Sequence, residues 1–207
     1  MKLNAKTIFG YGEDALTLWA VTERLDLILK ELGDDSDPAD CTVFYRPSFG
    51  RAGLYGEFDA IITTPETAYL VESKWDRTGG TSIKLEEHQI RRHKILEWYH
   101  DNWKGEEGEE WDVFARLNNP SFKAKFTYFV KGEEMFKYIP YSTDKSGEPT
   151  ILTQNLQTVL KELRGRKLEN VLIFFHRGKL PEIEKKFKIV KIEYETKLGN
   201  YIELLST

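Results

Sequence analysis

The sequence predicts a mixed α/β protein, a sheet covered by helices, with elements in the order helix, strand, strand, strand, helix, strand. Three observations carry this expectation. An apolar stripe at helical spacing runs between Gly12 and Gly33, two apolar runs are separated by the short turn Thr64, Pro65, Glu66, and a helix-forming stretch extends from Ser82 to about Trp103.

In the first element Leu16, Trp19, Ala20, Leu27, Ile28 and Leu32 recur at offsets that place them on one side of a helix over 12–33, and Gly33 is its expected stop. Asp34 to Pro38 carries turn chemistry, and Thr42 to Tyr45 reads as a strand. After a Gly-containing loop, Glu57 to Ile62 and Thr67 to Trp75 read as the two arms of an antiparallel hairpin. Ile83, Ile90, Leu96, Trp98 and Trp103 punctuate the second helix, 82–103. Beyond it, Trp111 to Leu117 is expected as a short helix and Phe126 to Val130 as a strand. Thr150 to Leu163 is expected as an amphipathic helix and Val171 to Phe175 as a buried strand. Phe187 to Tyr194 reads as an alternating strand whose phase slips near Val190.

With 207 residues, 40% of them apolar and 31% charged, the chain can bury a core and solvate its surface as a single globular unit. The lone cysteine, Cys41, excludes an internal disulfide and a Cys-based zinc site. No segment approaches the ~20 apolar residues of a membrane span, so a cytoplasmic protein without a membrane partner is expected. The net charge of −4 argues against a protein held to nucleic acid by bulk positive charge, but leaves room for an enzyme with an acidic metal site.

The chemistry lies in the hairpin. Glu72 and Lys74 are two apart in a strand and so emerge on one face, while Val71, Ser73 and Trp75 point to the other. Asp59 sits on the partner strand. Charged groups among apolar neighbours are costly unless partnered, and a shared metal ion is one such partner. Two carboxylates from neighbouring strands offer hard oxygen ligands suited to Mg²⁺ or Mn²⁺, with water and a substrate phosphate completing the shell. Lys74 would orient the attacking water or neutralise charge growing in the transition state. The competing reading makes Glu72 and Lys74 an ordinary surface pair on an edge strand.

The run Gly56 to Ile62, with Asp59 inside it, followed by Tyr69-Leu70-Val71-Glu72-Ser73-Lys74, resembles the D…ExK signature of the PD-(D/E)XK, or restriction-endonuclease-like, nucleases; Phe58 stands where the literal signature has Pro. The resemblance covers roughly residues 10–130 and implies an α-β-β-β-α-β core, here 1–131, with a C-terminal α/β extension, 132–207, packed on the same domain. It implies that Asp59 and Glu72 bind the metal, that Ser73 lends a backbone carbonyl and that Lys74 assists catalysis. By the same resemblance Glu13 is a further ligand on the first helix, with Glu23 as runner-up, and Gln89 a catalytic residue on the second. The implied activity is an endonuclease acting on DNA rather than RNA, with a homodimer as a partner state. Alternatives from other classes are a catalytically silent DNA-binding or assembly subunit of the same fold, and a metal-dependent phosphatase or nucleotide hydrolase.

Arg46, Arg51, Arg77, Lys84 and Arg92 flank the site in sequence and are the candidate phosphate contacts, set against the plain alternative of a solvated face. His88, His93 and His100 lie on the second helix without an HExxH pattern and are read as partly exposed helix residues. Trp98, Tyr99, Trp103 and Trp111 could stack bases, but core packing or a dimer surface is the stronger reading. No G-x-S-x-G elbow and no Walker-type phosphate loop occurs.

Overall fold

The computed structural model describes residues 7–49, 56–76, 82–103, 114, 129–130, 133–134, 150–178, 180–183 and 185–206. It is a mixed α/β structure. Among the described residues its central feature is a five-stranded mixed sheet, built from β2 (Thr42–Tyr45), β3 (Ala60–Thr63), β4 (Thr67–Trp75), β8 (Lys167–His176) and β10 (Lys188–Glu193), in the order β10-β8-β4-β3-β2. The other strands are short and form two-stranded pairs. These are β1 (Thr7–Gly10) with β11 (Ile202–Ser206), β5 (Ser82–Ile83) with β9 (Glu182–Ile183), and β6 (Phe129–Val130) with β7 (Glu133–Glu134). No helix among the described residues is long and apolar enough to cross a membrane.

The expected hairpin is present: β3 and β4 are antiparallel, with Ala60 opposite Val71 and Thr63 opposite Ala68. Strand β2 continues the antiparallel pairing from the far side of β3, whereas β10 runs parallel to β8. That parallel register is unbroken from Lys188 opposite Val171 to Glu193 opposite His176, so the expected slip at Val190 does not occur. Val190, Ile192 and Tyr194 simply alternate inward.

One face of the sheet carries Ala60, Ile62, Tyr69, Val71, Ile173, Phe175, Val190 and Ile192, which pack with Leu16, Ala20, Ile28 and Leu29. Ile61, Leu70, Leu172 and Phe174 alternate with these along the strands and are equally inaccessible, so both faces are covered. The helices over the first face are α1 (Glu13–Glu23), packed on β4, and α2 (Leu25–Leu32), packed on β10.

A single helix over 12–33 was the expectation; the chain instead breaks at Arg24, where φ is −136° and ψ is 22°. Periodicity supplies the reason. Continued without a break, the stripe Leu16, Ala20 would bring Arg24 inward one turn later. The break turns Arg24 outward, with its guanidinium 5.4 Å from the centre of the Trp19 ring, and restarts the buried set at Leu25, Ile28 and Leu29. Helix α2 ends at Gly33 as anticipated.

The start of α1 is held from below by β1. A Cβ on Gly10 would stand 2.7 Å from both the Ala15 methyl and Leu204 Cδ1, so only glycine lets β1 approach the first turn and β11 this closely. Gly12, with φ of 95°, then swings the chain from strand into helix.

The second helix starts later than expected. Ser82 and Ile83 form β5, parallel to β9, and helix α3 spans Glu87–Asn102. The delay has a local cause in a capping box, in which the Glu86 side chain accepts from the Gln89 backbone and Gln89 Oε1 accepts from the Glu86 N–H at 3.0 Å. Helix α4 (Ile151–Leu163) opens on Thr150, whose side chain accepts from the Thr153 N–H, in agreement with the expected element. The short helix expected at 111–117 lies outside the described residues apart from Phe114, and of the expected strand 126–130 only β6 is described.

The chain divides into two compact units. The first comprises Met1–Arg46, Phe58–Leu85 and Glu169–Thr207, and the second Pro47–Glu57 and Glu86–Leu168. Strands β8 and β10, which follow residue 131, lie in the same sheet as the hairpin, because β8 takes the free edge of β4. Asp76 N–H donates to the Phe175 carbonyl at 2.9 Å, so β4 and β8 end side by side. Within the second unit α3 packs on α4, and Trp98, Tyr99, Trp103 and Phe114 are buried, with Trp98 and Tyr99 edge to face at 5.1 Å. The aromatic stretch of α3 is thus core, and Trp111 lies outside the described residues.

Candidate active site

Antiparallel register sets the site. Ala60 is opposite Val71, so Asp59, one residue earlier, comes level with Glu72, one residue later, and opposed residues share a face of the sheet. Lys74 follows on the same face by alternation. Strand β4 is the middle strand of five and Glu72 is only 1% exposed, which overturns the reading of a solvated pair on an edge strand. Glu72 emerges between Leu70 and Lys74 on a covered face, where an ionised carboxylate needs a cation or hydrogen-bond donors nearby.

Asp59 is fixed from its own backbone and from the neighbouring strand. Its carbonyl accepts from the Arg46 N–H at 3.2 Å and its Oδ2 from the Ser73 N–H at 2.6 Å. Burial, together with the negative charge of Glu72, pushes its carboxyl up to about 7, and the hydrogen bond from Ser73 only partly offsets them. Glu13, at the first position of α1, is also raised, by burial, despite Lys74 Nζ standing 3.5 Å from its Oε1. Between Glu13 and Glu23, it is Glu13 that faces this group. Glu23 lies at the other end of α1, in a cleft of about 720 Å³ shared with Trp19, Arg24, Tyr194 and Lys197, which includes none of Asp59, Glu72 and Lys74.

Ser73 faces away from the acids and is tied to α1. Thr17 Oγ1 lies 2.9 Å from the Glu13 carbonyl and 2.8 Å from Ser73 Oγ. A hydroxyl has one proton, and the carbonyl can only accept, so Thr17 donates to Glu13 and the Ser73 hydroxyl donates to Thr17. The first turn of α1 is thereby pinned to the strand that carries Glu72 and Lys74.

Among the described residues, no three His, Cys, Asp or Glu side chains form a group that could by themselves hold a metal ion. A divalent ion that keeps most of its water needs less. Mg²⁺ and Mn²⁺ are commonly bound through one or two carboxylates plus water and phosphate, which is what Asp59, Glu72 and the Ser73 carbonyl would offer. The proton affinity of Asp59 is raised first by burial and then by the Glu72 carboxylate, and a divalent cation at the pair would oppose both.

The remaining sequence candidates divide. Arg46 belongs here, in the left-handed region with φ of 50°, its side chain half-exposed and paired with Asp14. Lys84 is exposed beside β5. Arg92 is buried in the second unit against Gly56, whose Cβ, if present, would be 3.2 Å from Arg92 Nη1; such a residue cannot track phosphates at a surface. Arg51 and Arg77 lie outside the described residues. Gln89 also belongs to the second unit, is 6% exposed, and has its side-chain oxygen engaged in the capping box. Gln89→Ala is therefore expected to cost about 1 kcal/mol of stability in a denaturant melt; an unchanged melt would show that the capping box contributes nothing. Of the helix histidines, His93 is 1% exposed and so a core residue, while His88 pairs with Glu86 at 3.1 Å and His100 with Asp101 at 3.3 Å.

Two participants escaped the sequence. Thr17 is a polar residue inside the stripe Leu16, Ala20, and that anomaly was its signal. Asp76 continues the phase of Glu72 and Lys74, and its carboxylate accepts from Tyr194 OH at 2.7 Å and Arg177 Nε at 3.1 Å, tying the ends of β4, β8 and β10 together.

Fold and site together define a mixed α/β protein with a two-carboxylate, one-lysine cluster on its central strands. Comparison with known proteins finds no matching family model, no matching curated protein and no matching solved structure.

Proposed function

We propose that the chain is a divalent-metal-dependent nuclease of the restriction-endonuclease-like class that hydrolyses phosphodiester bonds of DNA. The observation that carries this reading is Asp59 level with Glu72 on the central strands, its carboxyl raised to about 7 by burial and by Glu72, with Lys74 in phase beside them. Asp59, Glu72 and the Ser73 carbonyl would hold Mg²⁺ or Mn²⁺, which supplies Lewis acidity toward a phosphate oxygen and acidifies water. Lys74, steadied by Glu13, presents its ammonium protons to the charge that grows on the reacting phosphate. Arg46, whose backbone is bonded to Asp59, offers a phosphate contact in exchange for its exposed pairing with Asp14, a pairing of little worth in water.

A second reading, a catalytically silent subunit of the same fold, draws support from the net charge of −4 and from the engagement of Lys74 by Glu13. Incubation of labelled linear, supercoiled, single-stranded and branched DNA with Mg²⁺ or Mn²⁺ separates the two. Wild type is expected to cut, and Lys74→Ala to slow turnover by roughly 10²-fold with calorimetric metal affinity retained. No cleavage of any substrate, with no divalent metal bound, would transfer the conclusion to the silent subunit.

A further inference from the structure

We propose that Tyr11 and Tyr201 form a ledge beside the candidate active site on which an unpaired nucleobase stacks, so that single-stranded or locally unpaired nucleic acid is the substrate class. The inference rests on the reading of Asp59, Glu72 and Lys74 as a phosphodiesterase site.

Scattered exposed aromatics are ordinary on protein surfaces, but these rings are assembled. Tyr11 stands edge-on to Trp75, with centroids 5.6 Å apart and planes at 82°, and lies 5.8 Å from Tyr201. Tyr11 is nevertheless 55% exposed and Tyr201 48% exposed, so both keep ring surface open to solvent. The ledge adjoins the site through the chain itself. Tyr11 precedes Glu13 by two residues, a span of at most about 7 Å, and Glu13 Oε1 stands 3.5 Å from Lys74 Nζ.

Other tyrosines of the same unit are explained by their hydroxyls. Tyr45 donates to the Asp14 carbonyl, Tyr69 to Asp34 and Tyr194 to Asp76. Tyr11 and Tyr201 make no such hydrogen bond among the described residues, and what fixes them is ring contact. Their position is anchored from beneath, since Gly10 locks β1 against the first turn of α1 and against β11, the strand that Tyr201 precedes.

The exposed ring faces select the occupant. In a duplex a base has both faces covered by its neighbours in the stack. An unpaired base offers a free π-face, and stacking on tyrosine supplies affinity that does not depend on base identity.

The test titrates the full chain, in EDTA to prevent cleavage, into a short single-stranded oligodeoxynucleotide containing 2-aminopurine and into the matching duplex, reading quenching and anisotropy. The single strand is expected to bind more tightly and with quenching. Tyr11→Ala and Tyr201→Ala are expected each to weaken it about tenfold, while Tyr11→Phe, which keeps the ring and the packing on Trp75, binds as wild type does. Preference for the duplex, or unchanged affinity in both alanine variants, overturns the ledge. So does sedimentation showing a wild-type dimer that the alanine variants convert to monomer, which would make the patch a self-association surface. Cleavage that requires Asp59 but ignores both tyrosines removes the ledge and leaves the active-site reading standing, whereas a wild-type protein that neither binds nor cuts any nucleic acid removes both.

Discussion

Asp59→Asn is expected to lower Mg²⁺-dependent cleavage by roughly 10³-fold while the protein folds normally. The substitution keeps the size of the side chain and an oxygen able to accept from the Ser73 N–H at 2.6 Å, so the β3–β4 pairing should persist. What it removes is one of the two carboxylates that face each other across that pair and that the proposed metal site requires. Cleavage of the best DNA substrate at saturating Mg²⁺, alongside circular dichroism, separates the two effects. An Asp59→Asn protein that cuts at the wild-type rate would sink the site assignment.

The second large effect is on stability against pH. A carboxyl raised from 3.8 to about 7 binds more protons in the folded than in the unfolded chain between those values. Stability attributable to Asp59 is therefore fully present below about pH 4, falls as pH rises, and is exhausted above about pH 7, with a slope of up to about 1.4 kcal/mol per pH unit for one proton. Glu13, also raised, contributes with the same sign. Asp34, lowered chiefly by hydrogen bonds from Ser36 and Tyr69 that outweigh its burial, acts in the opposite sense but below about pH 4, outside this window. Between pH 4.5 and 7.5 the metal-free protein should thus lose melting temperature as pH increases. Millimolar Mg²⁺ or Mn²⁺ should restore it most at the alkaline end, since ligand binding to the folded state adds about 2.7 kcal/mol at a hundred times the dissociation constant. In Asp59→Asn both the slope and the metal rescue should shrink. A wild-type protein whose melting temperature climbs through this interval would contradict the crowded-carboxylate description.

The parts of the molecule legible in the sequence are those fixed over short distances. The turn at Thr64 to Glu66 and the apolar runs on either side specified the hairpin, and with it the juxtaposition of Asp59, Glu72 and Lys74. Thr150 to Leu163 was legible for the same reason, through a capping threonine and a single apolar stripe. What was hidden depends on partners far along the chain. Ser82 and Ile83 are strand only because Glu182 and Ile183 lie beside them, and nothing local distinguishes them from the start of a helix. The sheet takes the strand beside β4 from residues 167–176, a pairing that no local pattern announces. Arg92 and His93 were misjudged because residue type argues for exposure, and the structure buries both. The break at Arg24 was readable in principle, since an unbroken stripe would have buried an arginine.

The placement of β8 against β4 has a consequence for how the protein comes into being. Asp76, at the end of β4, is bound by Arg177 and Tyr194, respectively 101 and 118 residues further on. The hairpin bearing the two carboxylates can close as soon as it is synthesised, but its outer edge stays open until the last quarter of the chain arrives. Contacts this distant in sequence make folding slow and leave a strand edge exposed in the meantime. An emerging chain can therefore bring Asp59 level with Glu72 early, while the strand that carries Glu72 and Lys74 gains its second neighbour only once β8 has been made, and the tie at Asp76 only after translation has passed Tyr194.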